Sequence, residues 1–323
     1  PMSSLRANSL TIEYDEFGDR SAPAILLIMG LGTQMTAWPE SLCRGLAGRG
    51  FRVIRFDNRD VGLSEKFDGA KVPGLVRWRL MHMLGIKVRP PYTLADMADD
   101  AAGVLDSLSI ARAHLVGISM GGMIAQIMAA THPDRVRSLT SLASTSGAPG
   151  LPGPDVQLAR HMFSRPRKAT REYLIDHTVK TWRMIGSPAF PVSDEERHRK
   201  ASEALDRSFY PEGYRRHLAA ILGSAGRTGL LSRIEAPTLV IHGDSDRLIP
   251  PECGRDTARR IPGSQLEIIT GLGHDLPESF MPQLTALVAG HAGAADRRDE
   301  SSRATATPAI PADPVIEGSS GPV

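Results

Sequence analysis

The sequence predicts an α/β fold in which a mostly parallel sheet is flanked by helices, and three observations support this prediction. Short apolar runs of strand length alternate with segments whose apolar residues follow helical spacing, as in right-handed crossover connections. After a glycine- and proline-rich stretch at 147–154, residues 155–226 carry helical patterns and no strand pattern, which predicts that 147–226 are a helical cap inserted into the sheet domain. A serine flanked by glycines follows one buried strand directly and precedes a helical pattern.

Length and composition are those of an ordinary globular protein. The chain has 323 residues, of which 41% are hydrophobic and 23% are charged, so it can bury a full core. Its net charge of +2 argues against nucleic acid as a partner. The first residues are polar and lack the apolar core of a secretory signal. We therefore expect a cytoplasmic protein without stable membrane association, and its oligomeric state is not indicated.

Strands and helices are expected in regular alternation. The continuous apolar run at 24–29 is typical of a strand that helices cover on both faces. Further strands are predicted at 10–14, 52–56, 136–142, 237–242, 266–269 and just before Ser119, and helices at 38–48, 94–108, 120–130, 252–261 and one ending near 289.

Three parts of the chain are distinguished by this pattern. Residues 1–146 and 227–290 form the predicted core, and 147–226 form the cap. The tail, 291–323, is rich in charge clusters and small residues and is expected to be disordered. Within the core, the mixed apolar and basic segment 77–87 is favoured as a short helix over the sheet edge, with a pocket border or a membrane contact as alternatives.

The segment around Ser119 has the pattern of a nucleophile elbow. Its sequence is G-x-S-x-G, with Gly117 and Gly121 at the two positions where strand and helix must close around the serine. The helix that starts at Met120 directs its free amides and the positive end of its dipole toward Ser119. This arrangement suits a nucleophile whose reaction creates an oxyanion.

A serine hydroxyl needs a base, and the base needs a carboxylate that fixes its tautomer. His274 lies in a glycine-flanked loop late in the chain, and Asp246 lies in the turn after the preceding strand. The order Ser, Asp, His along the chain fits a hydrolytic triad. Asp57 and Arg59, in an earlier polar turn, are instead expected to pair loop backbone.

These motifs together resemble those of the α/β-hydrolase superfamily over residues 10–289. The motifs are Gly30-Leu31 after a strand, Asp57-x-Arg59-x-x-Gly62-x-Ser64, Gly117-x-Ser119-x-Gly121, His242-Gly243-Asp244-x-Asp246 and Gly273-His274. The resemblance implies that Asp246 rather than Asp244 is the triad acid. It also implies that the backbone amides of Leu31 and Met120 form the oxyanion hole. One departure is Met29, where many members have histidine.

The segments around Met29 and Asn58 resemble more closely the branch that contains aclacinomycin methylesterases and related carboxylesterases. This resemblance implies ester hydrolysis of a small-molecule substrate through an acyl-enzyme, without a metal or organic cofactor. Lactone opening, carbon-carbon bond hydrolysis, cofactor-free perhydrolysis and a ligand receptor with little turnover remain alternatives. The candidate pocket residues are Gly30, Trp182, Phe190, Phe209 and Tyr210.

Overall fold

The structure, a computed structural model, describes residues 2–74, 89–162, 170–224 and 226–306. The segment 77–87, predicted as a helix over the sheet edge, lies outside the described residues. So does the last part of the predicted disordered tail, residues 307–323.

Eight strands form one sheet in the order β1-β2-β4-β3-β5-β6-β7-β8. They are β1 (Ser3–Ala7), β2 (Leu10–Phe17), β3 (Ala24–Ile28), β4 (Arg52–Phe56), β5 (Ala113–Ile118), β6 (Val136–Leu142), β7 (Thr238–Gly243) and β8 (Gln265–Ile269). The pairs β1-β2 and β2-β4 are antiparallel, and the other pairs are parallel. The predicted mostly parallel sheet is confirmed, with an edge hairpin whose first strand the polar N-terminal sequence did not reveal.

The described helices cover both faces of this sheet. They are α1 (Glu40–Ala47), α2 (Leu94–Ser107), α3 (Met120–Thr131), α4 (Val156–Met162), α5 (Arg171–Ile185), α6 (Asp194–Arg207), α7 (Pro211–Gly223), α8 (Thr228–Leu231), α9 (Pro251–Arg260) and α10 (Met281–Ala306). The start of α2 is fixed by a capping box, in which Thr93 and Asp96 satisfy each other's backbone amides. Helices α4 to α7 fall between β6 and β7, where the sequence places the insertion.

The last helix corrects one prediction. The sequence predicts disorder from residue 291, whereas α10 continues to Ala306. Ala292 and Ala295 are buried, and Asp296 accepts a hydrogen bond of 2.7 Å from Arg137. Because small alanines let the helix pack closely, it buries apolar surface without the large side chains that the sequence analysis relied on.

Alternate residues of the strands pack into two cores, one on each face of the sheet. Along β3, Leu26 and Ile28 pack with α2 and α3. Ile25 and Leu27 pack on the other face with α1 and α10. A strand that is covered on both faces must be apolar at every position, which explains the continuous run that predicted it. No described helix combines the length and apolarity that crossing a bilayer requires.

Candidate active site

Ser119 occupies the single residue between β5 and α3, and its backbone conformation is unusual. Its φ of 57° and ψ of −121° lie in a region that costs a non-glycine residue about 1–3 kcal/mol. The surrounding hydrogen bonds hold it there: its amide donates to the Leu142 carbonyl over 2.9 Å, and its carbonyl accepts from Ser144 Oγ over 2.7 Å. The side chain is thus presented at the strand end as a sharp elbow.

The glycines around the elbow are required by close backbone packing. A Cβ on Gly117 would lie 2.2 Å from the Gly121 carbonyl oxygen, and one on Gly121 would lie 2.0 Å from the Ile28 carbonyl oxygen. A Cβ on Gly30 would lie 3.2 Å from Ser119 Cβ. The loop after β3 therefore packs directly beside the serine.

His274 and Asp246 are brought together by the loops after β8 and β7. Nδ1 of His274 lies 2.6 Å from Oδ2 of Asp246. The second carboxylate oxygen, Oδ1, accepts hydrogen bonds from the Leu248 and Ile249 amides over 2.9 and 2.8 Å. Asp244, by contrast, is exposed and accepts from the Gly271 amide. Of these two aspartates, Asp246 therefore contacts the histidine.

Asp246 is buried and yet held ionised. Burial alone would raise its pKa, but the charge of His274 and hydrogen bonds from His242, His274 and the Ile249 amide lower the pKa well below its usual value. Nε2 of His242 lies 3.5 Å from Oδ2 of Asp246. A buried carboxylate that keeps its charge stabilises the imidazolium that forms when His274 accepts a proton.

Within the described residues, the Ser119 hydroxyl forms no hydrogen bond with His274. Hydrogen bonds between a nucleophile and its base often tighten only when substrate is bound. The amides of Leu31 and Met120, predicted as the oxyanion hole, donate to no acceptor in the described part of the chain. Both donors therefore remain available for a ligand.

The residues of the Asp57 motif support the loop after β3 rather than contact a reacting group. Asp57 accepts from the Met35 amide over 2.7 Å and from the Leu63 amide over 2.9 Å. Asn58 donates to the Met29 carbonyl over 3.0 Å. Arg59 binds both carboxylate oxygens of Asp100, a buried ion pair. The contacts of Asp57 are the expected pairing of loop backbone, whereas Arg59 has a structural role of another kind, an ion pair with helix α2.

The inserted helices also support the histidine loop, through contacts that the sequence did not indicate. The His274 amide donates to the Ile185 carbonyl over 2.8 Å, and the Gly273 amide donates to Ser187 Oγ over 2.8 Å. Ser187 in turn donates to the carboxylate of Asp275. A single buried hydroxyl thus joins the inserted segment to both neighbours of His274.

Replacing Ser187 by Ala is expected to lower the free energy of unfolding by about 1–3 kcal/mol. The substitution leaves the buried Gly273 amide without its acceptor and removes the hydroxyl that donates to the Asp275 carboxylate, which keeps its hydrogen bond from the Ser187 amide. Urea unfolding measures the change. Ser245→Ala is the control, because the Ser245 hydroxyl bonds only within an exposed turn and its loss should cost less than about 0.5 kcal/mol. Equal costs for the two variants would contradict this role for Ser187.

The four aromatic residues predicted as pocket walls differ in their surroundings. Trp182 packs on the small core of α5 and α6, and Phe190 packs against Phe280. Phe209 is 53% exposed, and Tyr210 accepts from Arg216 over 2.7 Å. Their role in a substrate pocket stays a prediction. The described residues contain no cluster of three metal-ligating side chains.

Known proteins resemble the chain over most of its length. The family described as alpha/beta hydrolase fold matches residues 23–181. Rhodomycin D methylesterase DauP from Streptomyces sp. strain C5 is 30% identical over 314 residues, which cover 91% of this chain and 99% of that protein.

Two solved structures have a similar fold. The enol-lactonase from Burkholderia xenovorans LB400 is 25% identical with a TM-score of 0.69, over 90% of this chain and 99% of that one. A meta-cleavage product hydrolase from Pseudomonas fluorescens IP01 is 20% identical with a TM-score of 0.71, over 91% of this chain and 98% of that one. The likeness therefore extends across the sheet and the inserted helices.

Proposed function

This chain belongs to the α/β-hydrolase family and is an ester hydrolase, and from that premise we propose that Ser119, His274 and Asp246 form its catalytic triad. The observation that carries the proposal is the 2.6 Å contact between His274 and the buried, ionised Asp246. The elbow at Ser119 and the two free amides beside it support the same assignment.

The proposed reaction has two steps. His274 accepts the Ser119 proton while the serine oxygen attacks the ester carbonyl carbon, and the amides of Leu31 and Met120 bind the resulting oxyanion. When the intermediate collapses, the carbon-oxygen bond to the alcohol breaks and His274 gives that alcohol its proton. Water then attacks the acyl-enzyme with His274 again as base, which releases the acid and restores Ser119. No metal or organic cofactor takes part in this scheme.

We propose a methyl ester of a bulky acid as the substrate class, because the relative that is 30% identical is named as a methylesterase. Helices α4 to α7 would serve as a cap over the site, since His217 of α7 contacts the loop after β3 and Ile185 of α5 contacts the histidine loop. A cytoplasmic location stays a prediction of the sequence.

A substrate screen tests this proposal. Purified protein is incubated with methyl esters of polycyclic and of short-chain acids and with p-nitrophenyl esters of graded chain length. Lactones and a vinylogous 1,5-diketone are included as substrates for lactone opening and for carbon-carbon bond hydrolysis. Methanol release and acid formation are measured by chromatography. We expect the polycyclic methyl esters to have the highest kcat/KM. A preference for lactones or for the diketone would replace the proposal with one of the alternative reactions, and tight binding with a single slow acylation would indicate a receptor.

A further inference from the structure

His217, on the inserted helix α7, contacts the loop that carries one of the proposed oxyanion donors. We call residues 30–33 the oxyanion loop. The side chain of His217 is fully buried. Its Nδ1 lies 3.1 Å from the backbone nitrogen of Gly32 in this loop, and its Nε2 lies 2.7 Å from the carbonyl oxygen of Arg59.

These two partners determine the tautomer of the ring. The Arg59 carbonyl can only accept a hydrogen bond, so Nε2 carries the proton. Nδ1 therefore has a free lone pair and accepts from the Gly32 amide. Burial lowers the pKa of His217 to about 4, which keeps the ring neutral at pH 7 and preserves this acceptor. A protonated ring would direct a second donor at the Gly32 amide.

The peptide group between Leu31 and Gly32 is thereby held at both ends. Its carbonyl accepts from Thr33 Oγ1 over 3.1 Å, and its amide donates to His217. The Leu31 amide belongs to the preceding peptide, which is joined to this one at the Leu31 Cα, so fixing the Leu31–Gly32 peptide limits how far the oxyanion loop can shift around that amide. The ring itself is well anchored, because the adjacent Arg216 binds both carboxylate oxygens of buried Asp60 over 2.7 and 3.0 Å.

We propose that His217 is a positioning residue for ester hydrolysis, which sets the direction of the Leu31 amide by accepting the hydrogen bond of Gly32. The inference rests on the proposed function, in which that amide binds the oxyanion. It assigns the inserted helices a part in transition-state stabilisation in addition to covering substrate.

Two substitutions separate the two hydrogen bonds of the ring. In His217→Asn the amide oxygen can take the place of Nδ1 and keep the bond to Gly32. In His217→Gln the amide nitrogen can take the place of Nε2 and keep only the bond to Arg59. We expect His217→Gln to lower kcat for a p-nitrophenyl ester about 10- to 100-fold with little change in KM, since a misplaced oxyanion donor weakens transition-state binding. His217→Asn should stay within about fivefold of the unmodified protein.

Affinity for a trifluoromethyl ketone provides a second measurement, because its adduct with the serine places an oxyanion in the hole. Inhibition by this compound should weaken in parallel with kcat in the Gln variant. Each variant loses one hydrogen bond, so urea unfolding should give similar stabilities. Equal kcat values for the two variants, or kcat losses that follow stability alone, would overturn the inference.

Thr33→Val covers the case in which both histidine variants fold poorly. This substitution removes the hydrogen bond that the Thr33 hydroxyl donates to the Leu31 carbonyl, at the other end of the same peptide group. Thr33 is only half-buried. The substitution should lower kcat and trifluoromethyl ketone affinity together, and unchanged values would count against the inference.

Labelling with a fluorophosphonate distinguishes a failure of the proposed function from a failure of the role proposed for His217. If the unmodified protein is not labelled at Ser119, the proposed function fails. If it is labelled and the predicted differences do not appear, only the role of His217 fails.

Discussion

Replacing Asp246 by Asn is expected to lower kcat for ester hydrolysis about 10⁴-fold, the loss seen when a serine protease triad receives the same substitution. The structure explains why the side-chain amide of this asparagine would be oriented unfavourably. The amides of Leu248 and Ile249 donate to the position of Oδ1, so the asparagine oxygen must lie there. Its NH₂ group then faces Nδ1 of His274 and selects the tautomer that is protonated on Nε2. That tautomer cannot accept the Ser119 proton.

The matched control for this prediction is Asp244→Asn, two residues earlier in the same turn. Asp244 is exposed and accepts from the Gly271 amide rather than from the histidine. Its replacement should leave kcat within about threefold of the original value, since it leaves the triad contacts in place. Steady-state kinetics with a p-nitrophenyl ester measures both variants. If Asp244→Asn were the more damaging of the two, the assignment of the acid would be wrong.

Gly121→Ala is expected to destabilise the protein by about 3 kcal/mol or more and to abolish ester turnover. A Cβ at this position would lie 2.0 Å from the Ile28 carbonyl oxygen and 2.8 Å from that of Met29. Both obstacles are backbone atoms, so no side chain can move aside. Helix α3 would have to shift away from β3 and carry the Met120 amide with it. Urea unfolding and ester kinetics report the two effects.

Gly290→Ala is the control, because it adds the same methyl group in a helix where nothing lies within 4 Å of the new Cβ. Alanine is the better helix former, so this variant should gain up to about 1 kcal/mol. A Gly121→Ala protein as stable and active as Gly290→Ala would show that the elbow is not packed as described.

The sequence was sufficient for the fold class and for the residues that the triad proposal uses. Local patterns carry this information: a continuous apolar run marks β3, and glycines mark the elbow at Ser119. The residues that support the loops of the site carried no such signal. His217 reaches Gly32 across 185 positions of the chain, and Ser187 reaches Gly273 across 86. Neither belongs to a recognisable motif, because their roles depend on how the inserted helices pack. The length of α10 was missed for a related reason, since its buried residues are small.

Mass spectrometry of the protein after reaction with a fluorophosphonate tests the central claim most directly. The probe reacts with a serine that a neighbouring histidine activates, and its phosphorus-bound oxygen occupies the oxyanion hole. We predict one label per chain, on the tryptic peptide that contains Ser119, with loss of ester turnover in proportion to labelling. Ser119→Ala should neither be labelled nor hydrolyse esters. Labelling of a different serine, or ester turnover that persists in Ser119→Ala, would contradict the account.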